Sequence, residues 1–284
     1  MIDPLLVHLI DIVSDPAAEG LILAGGFGIR LKQAYLQNIQ ARTLIPRVPE
    51  ARATLDFDFF LRISLFVETE RGRAVRALLD RLDYREHTPR WQFGKPLIVG
   101  DPERKVKIDL MARSPKEDEG IPVKSPRVGS GSGINLHGFE TPEAFAVEDS
   151  PVSLPLEGRN SGGVSVKAYV MVPHAYASLN MKVKAAHDWL RSEHGEITKK
   201  PGQEKHVFDV YVLTAMLVEN ELAEAQKLAQ QYDAYPILKE IRDCARELYG
   251  ENNAPGVQEI QRRTNTDFDY AVFWEALCGM LGII

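Results

Sequence analysis

The chain has only two cysteines in 284 residues, Cys244 and Cys278. They lack any zinc-ligand spacing, and both fall in apparently helical, partly apolar surroundings, so each is expected to be a small buried thiol in a reducing cytoplasm. No apolar run is long enough to span a bilayer and no secretory leader is visible. A basic excess is missing too: the formal net charge is −6, which argues against a generally basic nucleic-acid binder and leaves any RNA contact to a local patch. Aromatic residues make up 8%. Trp91, Trp189 and Trp274 are scattered, form no ladder for single-stranded bases, and are expected to pack. What is present is ordinary for a globular protein, 44% hydrophobic and 26% charged, in a chain long enough for two domains.

The most informative stretch is Ala51 to Leu61, where two carboxylates alternate with large apolar side chains. In an extended strand Leu55, Phe57, Phe59 and Leu61 share one face, and Thr54, Asp56 and Asp58 share the other. Two acids about 7 Å apart along one face, from two rises of roughly 3.3 Å, repel unless a cation lies between them. An isolated D-x-D is more often a half-buried strand with a solvated outer face, so its surroundings decide.

Upstream, Gly20 to Ala24 is a short apolar run ending in Gly25-Gly26-Phe27-Gly28, after which Ile29 to Gln37 has helical spacing. Strand, glycine turn and helix together bring backbone N–H groups to an anion at a helix N-terminus. Before them, Asp3-Pro4 has the form of an N-cap followed by proline, and Leu5, Leu9 and Ile12 mark a packing helix in which a lone His8 is expected to be structural or exposed. Downstream, Val75, Leu78, Leu79 and Leu82 mark a helix, and Val106-Lys107-Ile108-Asp109-Leu110 alternates as a strand. If it lies beside the D-x-D strand, Asp56, Asp58 and Asp109 converge. Three carboxylates are hard oxygen ligands able to hold two Mg²⁺ ions together with substrate phosphates.

These motifs resemble those of nucleotidyltransferases of the polymerase-beta superfamily, and within it the AbiEii-type toxins of type IV toxin–antitoxin and abortive-infection systems. Leu23-Ala24-Gly25-Gly26 is similar to the family's glycine signature, and Arg52-Ala53-Thr54-Leu55-Asp56-Phe57-Asp58-Phe59 to its R-x-S/T-x-D-x-D-F strand. Asp109 matches the third acid in position. Phe27 departs from the pattern, standing where the family usually has Ser or Thr. The resemblance implies that Asp56, Asp58 and Asp109 bind Mg²⁺, that Gly25 and Gly26 hold the triphosphate, and that Arg52 and Thr54 support the strand or contact phosphate.

Ala112 to about Gly163 is rich in Pro, Gly and Ser and reads as a flexible loop, before Val164 to Val172 alternates as a strand. The second half is helical, with spacing over 175–191, 206–218, 222–232, 237–249 and 268–281. Leu179-Asn180-Met181-Lys182-Val183-Lys184 resembles the family's helical motif, with Lys182 at the lysine that faces the cleft and Lys184 as its rival. Lys205 to Tyr211 resembles its K-D-x-x-D-L/V-Y/F stretch, with His206 replacing the first acid. Lys205 and Asp209, four apart, share a helix face, either as an ion pair or with Asp209 as a base toward an acceptor hydroxyl. Arg191, Lys199, Lys200 and Lys205 make this neighbourhood basic.

The expected fold is α+β: a polymerase-beta-like nucleotidyltransferase domain over 1–172, a small mixed sheet with helices, then a helical domain over 173–284. The expected function is Mg²⁺-dependent transfer of a nucleotide from an NTP to a hydroxyl. For the acceptor the resemblance implies RNA, tRNA in particular, and for a partner a cognate antitoxin. Two rivals stand beside this reading: a small-molecule transferase similar to aminoglycoside-modifying enzymes, and a non-catalytic nucleotide- or partner-binding protein.

Overall fold

The computed structural model describes residues 4–52, 54–88, 90–97, 104–129, 133–192, 194–264 and 268–283. The cap expected at Asp3, the motif residue Ala53 and the run Ser130-Gly131-Ser132 lie outside the described residues. The chain is α+β and divides into two compact units, Met1–Tyr35 with Ala53–Pro173, and Leu36–Arg52 with His174–Ile284. Among the described residues no helix is long and apolar enough to cross a membrane.

The first unit is built on a ten-stranded mixed sheet. In chain order its elements are α1 (Pro4–Val13), β1 (Leu21–Ala24), the start of α2 (Gly25–Asn38), β2 (Asp56–Leu61), α3 (Ser64–Val67), α4 (Thr69–Arg81), β3 (Arg85–Thr88), β4 (Gln92–Pro96), β5 (Lys105–Ala112), β6 (Val123–Lys124), β7 (Arg127–Val128), β8 (Gly138–Glu140), β9 (Val152–Arg159) and β10 (Ser165–Val172). The strand order is β6-β7-β8-β5-β2-β1-β10-β9, with β4 paired to β5 and β3 to β4. β1 is central, so all four of its residues are apolar and buried. β2 runs antiparallel to β1 and parallel to β5.

Period-two alternation places Phe57, Phe59 and Leu61 with Val106, Ile108 and Leu110 in one core. Leu5, Leu9 and Ile12 of α1 and Val75, Leu78 and Leu79 of α4, spaced one helical turn apart, join it. Each such side chain contributes roughly 1.5–3 kcal/mol by leaving water. Phe60 breaks the simple alternation. It points to the acid face yet is fully buried, as is its register partner Ile22, so that face is apolar at one end and acidic at the other.

The segment expected to be a flexible loop over 112–163 instead carries β6, β7, β8 and β9, with short 3-10 turns between them. Two physical causes account for the difference. Strands of two or three residues are too short to show a period. Pro155 speaks against a strand, but β9 is the edge of the sheet, where a missing N–H costs no ladder bond. The turns are pinned by Arg113, buried to 7% exposure, which pairs with Glu119 and donates from Nε to Glu148 at 3.1 Å. Glu148 in turn accepts from the Ile63 backbone N–H at 3.0 Å.

The second unit is helical: α5 (Ala175–Leu190), α6 (Lys205–Ala215), α7 (Glu219–Gln231), α8 (Pro236–Tyr249), α9 (Pro255–Thr264) and α10 (Tyr270–Leu281). His174 caps α5, its side chain accepting from the Tyr176 N–H at 3.1 Å. Tyr211, Tyr249 and Phe273 form an edge-to-face aromatic core between α6, α8 and α10. The excursion Leu36–Arg52 belongs to this unit because Leu44 and Ile45 donate backbone hydrogen bonds to Leu217 and Ala215 at 2.7 and 3.2 Å. It thereby carries Arg52 to α6.

Candidate functional site

In the first unit, the carboxylates sit on the sheet face opposite the core. Asp58 and Asp109 are register partners on the adjacent parallel strands β2 and β5, and Asp56, two residues earlier, is the partner of Lys107. All four side chains therefore share one face. Burial raises the proton affinity of Asp109 above that of an ordinary carboxylate, and the negative charge of Asp56 adds to this. A hydrogen bond from Gln92 and the charge of Lys107 oppose it. Gln92 is opposite Asp109 in the β4–β5 ladder, and its Oε1 accepts a short hydrogen bond from Thr88 Oγ1, so the amide is oriented to donate to the carboxylate. Nothing in the sequence singled out Gln92. A glutamine in an alternating strand reads as a solvated polar position until the ladder sets it across from an acid.

The glycine turn meets the same face. Ala24 is the register partner of Asp58, which brings Gly25 against the Asp58 carboxyl. A Cβ on Gly25 would lie 1.7 Å from Asp58 Oδ2, and Gly25 has φ +64°, so glycine is required there on both counts. Gly28 is equally constrained: its Cβ would come within 2.6 Å of Leu23 O. Phe27 turns away from the helix start. It is buried to 1% exposure with its ring 5.2 Å from that of Phe57, so its ring belongs to the core and not to the surface at the start of α2.

The three acids are hard oxygen groups of the kind Mg²⁺ takes, and they share one surface. They are not a formed cage. Among the described residues no three His, Cys, Asp or Glu side chains are gathered as a metal cluster; Asp58 is drawn against Gly25 and Asp109 to Gln92. Thr54 supports the strand from its start, its Oγ1 accepting from the Asp56 N–H at 3.3 Å.

In the second unit, Asp209 on α6 is the hub of a cationic cluster. Lys182 Nζ on α5 lies 2.8 Å from Asp209 Oδ2, and Arg52 Nε lies 3.3 Å from both carboxylate oxygens. Lys205, the expected partner four residues away, is not among the groups that hold Asp209; the long-range contacts brought by α5 and the 36–52 excursion take its place. Burial works to raise the Asp209 pKa, but Lys182 and Arg52 together bring it below the usual carboxylate range. Asp209 is thus kept ionised and is a poor proton acceptor, suited to fixing Lys182 and Arg52 in place.

His206 stands 3.5 Å from Lys182, and burial and the charge of Lys182 push its pKa down to about 3, so it is neutral. Two cations against one anion leave this cluster one positive charge to offer a phosphate. Lys184, the rival lysine, is occupied separately by Asp188 and Glu240 at 3.1 and 3.2 Å. Arg191 is held by Glu247. Compared with known proteins, the chain matches no protein-family model and no curated protein.

Proposed function

We propose that the chain is a nucleotidyltransferase that moves an NMP from an NTP to an acceptor hydroxyl with Mg²⁺. The observation that supports this most is the meeting of two motifs more than thirty residues apart: the Gly25 turn is fitted to Asp58, and Asp58 is in register with Asp109. A glycine turn at a helix N-terminus beside paired carboxylates is the pairing that triphosphate chemistry requires. In this reading the N–H groups at the start of α2 bind the triphosphate, and Asp56, Asp58 and Asp109 hold the metal.

When bound, Mg²⁺ supplies Lewis-acid polarisation of the α-phosphate and lowers the cost of ionising the acceptor. The acceptor oxygen forms a bond to the α-phosphorus, the bond to the β-phosphate oxygen breaks, and pyrophosphate leaves. Asp109 is suited to receive the acceptor proton, since its partner Gln92 fixes its orientation. Lys182 is held by Asp209 within the second unit, and a role for it toward the phosphates rests on the resemblance. An RNA acceptor, tRNA in particular, and a cognate antitoxin rest on the resemblance alone, and a cytoplasmic location on the sparse cysteines.

The test is incubation with Mg²⁺ and each of the four ribonucleotides labelled at the α-phosphate, with total RNA or an amino sugar as acceptor, beside Asp58→Asn. Label on an acceptor with wild type only supports the reading and names the donor. Label on the amino sugar alone transfers the proposal to small molecules. No labelled product and no Mg²⁺-dependent nucleotide binding would end it.

A further inference from the structure

At the end of β1 away from the glycine turn, the first unit has a cavity of about 530 Å³, within the range of small-molecule sites. Asp15, Glu19, Arg62, Ser64, Arg71 and Tyr169 are in its wall. Arg62 follows β2, and its N–H donates to Gly20 O at 3.0 Å, which continues the β1–β2 ladder by one residue. Leu61 and Ile63 are in the core, so the Arg62 side chain points to the other face. On β10, Val170 and Val172 are in the core, which leaves Tyr169 on that same other face. Met171 is the register partner of Ile22 on the parallel strand β1, so Tyr169, two residues earlier, stands beside Gly20. Arg62 and Tyr169 thus flank Gly20, their Cα atoms about 10 Å apart from two strand spacings. Gly20 puts no side chain into the gap.

The charges around this cavity fail to balance at one place, Arg62. Asp15 is paired with Arg81. Arg71 is held by Glu68 at 2.9 Å and lies 3.7 Å from Glu19. Arg62 has no carboxylate partner among the described residues, and its Nε is buried with no hydrogen-bond acceptor. A buried cationic donor left unpaired is costly to a fold, so its presence in a cavity wall points to an acceptor from outside the chain. The guanidinium presents its N–H groups as a planar fork, which the two oxygens of one carboxylate match. One free positive charge near Glu19 and Asp15 suits a monoanion; a doubly charged phosphate would leave negative charge facing those acids. Across the gap Tyr169, 69% exposed, offers the face of a ring.

We propose that this cavity binds a carboxylate that carries an aromatic ring, its oxygens on the Arg62 fork and its ring against Tyr169. Such a group comes either from a free aromatic acid or from the C-terminus of a peptide ending in an aromatic residue. Gly20 is about 16 Å along β1 from Gly25, five strand rises. The site shares no residue with the glycine turn or with Asp56, Asp58 and Asp109, so it is independent of the transferase reading.

The test is equilibrium dialysis of 2-naphthoate against the full chain without Mg²⁺ or NTP. Beside it run 2-naphthamide, which lacks the charge, acetate, which lacks the ring, and a tetrapeptide ending in phenylalanine with its C-terminus either free or amidated. At least one of the two ring-bearing carboxylates should bind saturably, and its amide and acetate about tenfold more weakly or worse. Arg62→Gln should weaken that binding about tenfold or more, and Arg62→Lys should not restore it, because an ammonium keeps the charge and loses the fork. Tyr169→Ala should weaken it severalfold, and Tyr169→Phe should keep it. Tyr169 is exposed and Arg62 has no side-chain partner to lose, so these variants should melt with the wild type. Binding of the naphthoate names a free acid as the ligand, and binding of the peptide alone names a chain terminus. Saturable binding of neither, or affinity unchanged in both Arg62→Gln and Tyr169→Ala, would overturn the proposal. So would inorganic phosphate that occupies the site at lower concentration than either carboxylate.

Discussion

The fit of Gly25 to Asp58 predicts a specific energetic coupling. In Gly25→Ala the new methyl would be 1.7 Å from Asp58 Oδ2 and 2.6 Å from its Cγ, on a backbone with φ +64°. The left-handed backbone alone costs an L residue about 1–2 kcal/mol. Relieving the overlap, by moving either the carboxyl or the start of α2, adds about 1–3 kcal/mol as overpacking does elsewhere. The substitution should therefore cost about 2–5 kcal/mol in the wild-type background. In an Asp58→Gly background only the backbone cost remains, about 1–2 kcal/mol. Asp58→Ala is the poorer partner, because Asp58 Cβ is itself 3.0 Å from the new atom. Urea unfolding of the four proteins, read as a double-mutant cycle, should give a coupling of about 1–3 kcal/mol. Equal costs of Gly25→Ala in both backgrounds would refute the reasoning, since Asp58 would then not occupy the space that only glycine leaves.

Other consequences are as direct. Asp209→Asn leaves Lys182 and Arg52 without their buried counter-charge and should destabilise the protein by about 3 kcal/mol or more in urea. Because the folded-state pKa of Asp209 is held down, its contribution is present above the unfolded carboxylate pKa and is lost only as pH falls through the lower folded value. His8 is buried, 3.2 Å from the Tyr84 hydroxyl, and burial lowers its pKa from 6.5 to about 4. The unfolded chain binds that proton first. Stability should be full above pH 6.5 and fall by on the order of 3 kcal/mol as the pH approaches 4, and His8→Phe should flatten that slope in urea midpoints taken across the range. Gln92→Leu removes the donor that orients Asp109 and should lower turnover about 10- to 100-fold with little change in melting temperature; undiminished turnover would show that the hydrogen bond has no part in the chemistry.

How much of this was legible in the sequence varies with the range of the interaction. The alternation of β2 correctly assigned Phe57, Phe59 and Leu61 to the core and Asp56 and Asp58 to the other face, because a period of two is a local property. The partners of β2 are not local: the sequence offered the pairing with the Asp109 strand only as a condition and through the resemblance, and neither the register of Asp109 with Asp58 nor Gln92 across from it could be read from the residues. Lys205 and Asp209 illustrate the same limit. The i,i+4 rule put them on one helix face, with an ion pair as one of two readings, yet Lys182 and Arg52, brought by α5 and the 36–52 excursion, are the groups that hold Asp209. Phe27 is the opposite case: it stands out as a departure at a polar motif position, and the fold accounts for it as a core residue packed on Phe57. The 112–163 segment was misjudged because its order comes from Arg113, Glu119 and Glu148, not from periodicity.

In the proposed reading the Gly25 turn and the three carboxylates form a site for breaking the α–β bond of a nucleoside triphosphate. The most direct measurement is a paired incubation with Mg²⁺ and RNA in which the donor nucleotide carries label at either the α- or the γ-phosphate, using wild type, Asp58→Asn and Asp109→Asn. The expected result is that α-label joins the acceptor while γ-label appears as pyrophosphate, and that both variants lose the two signals together. Transfer of γ-label to the acceptor, or undiminished α-label transfer by either variant, would contradict it.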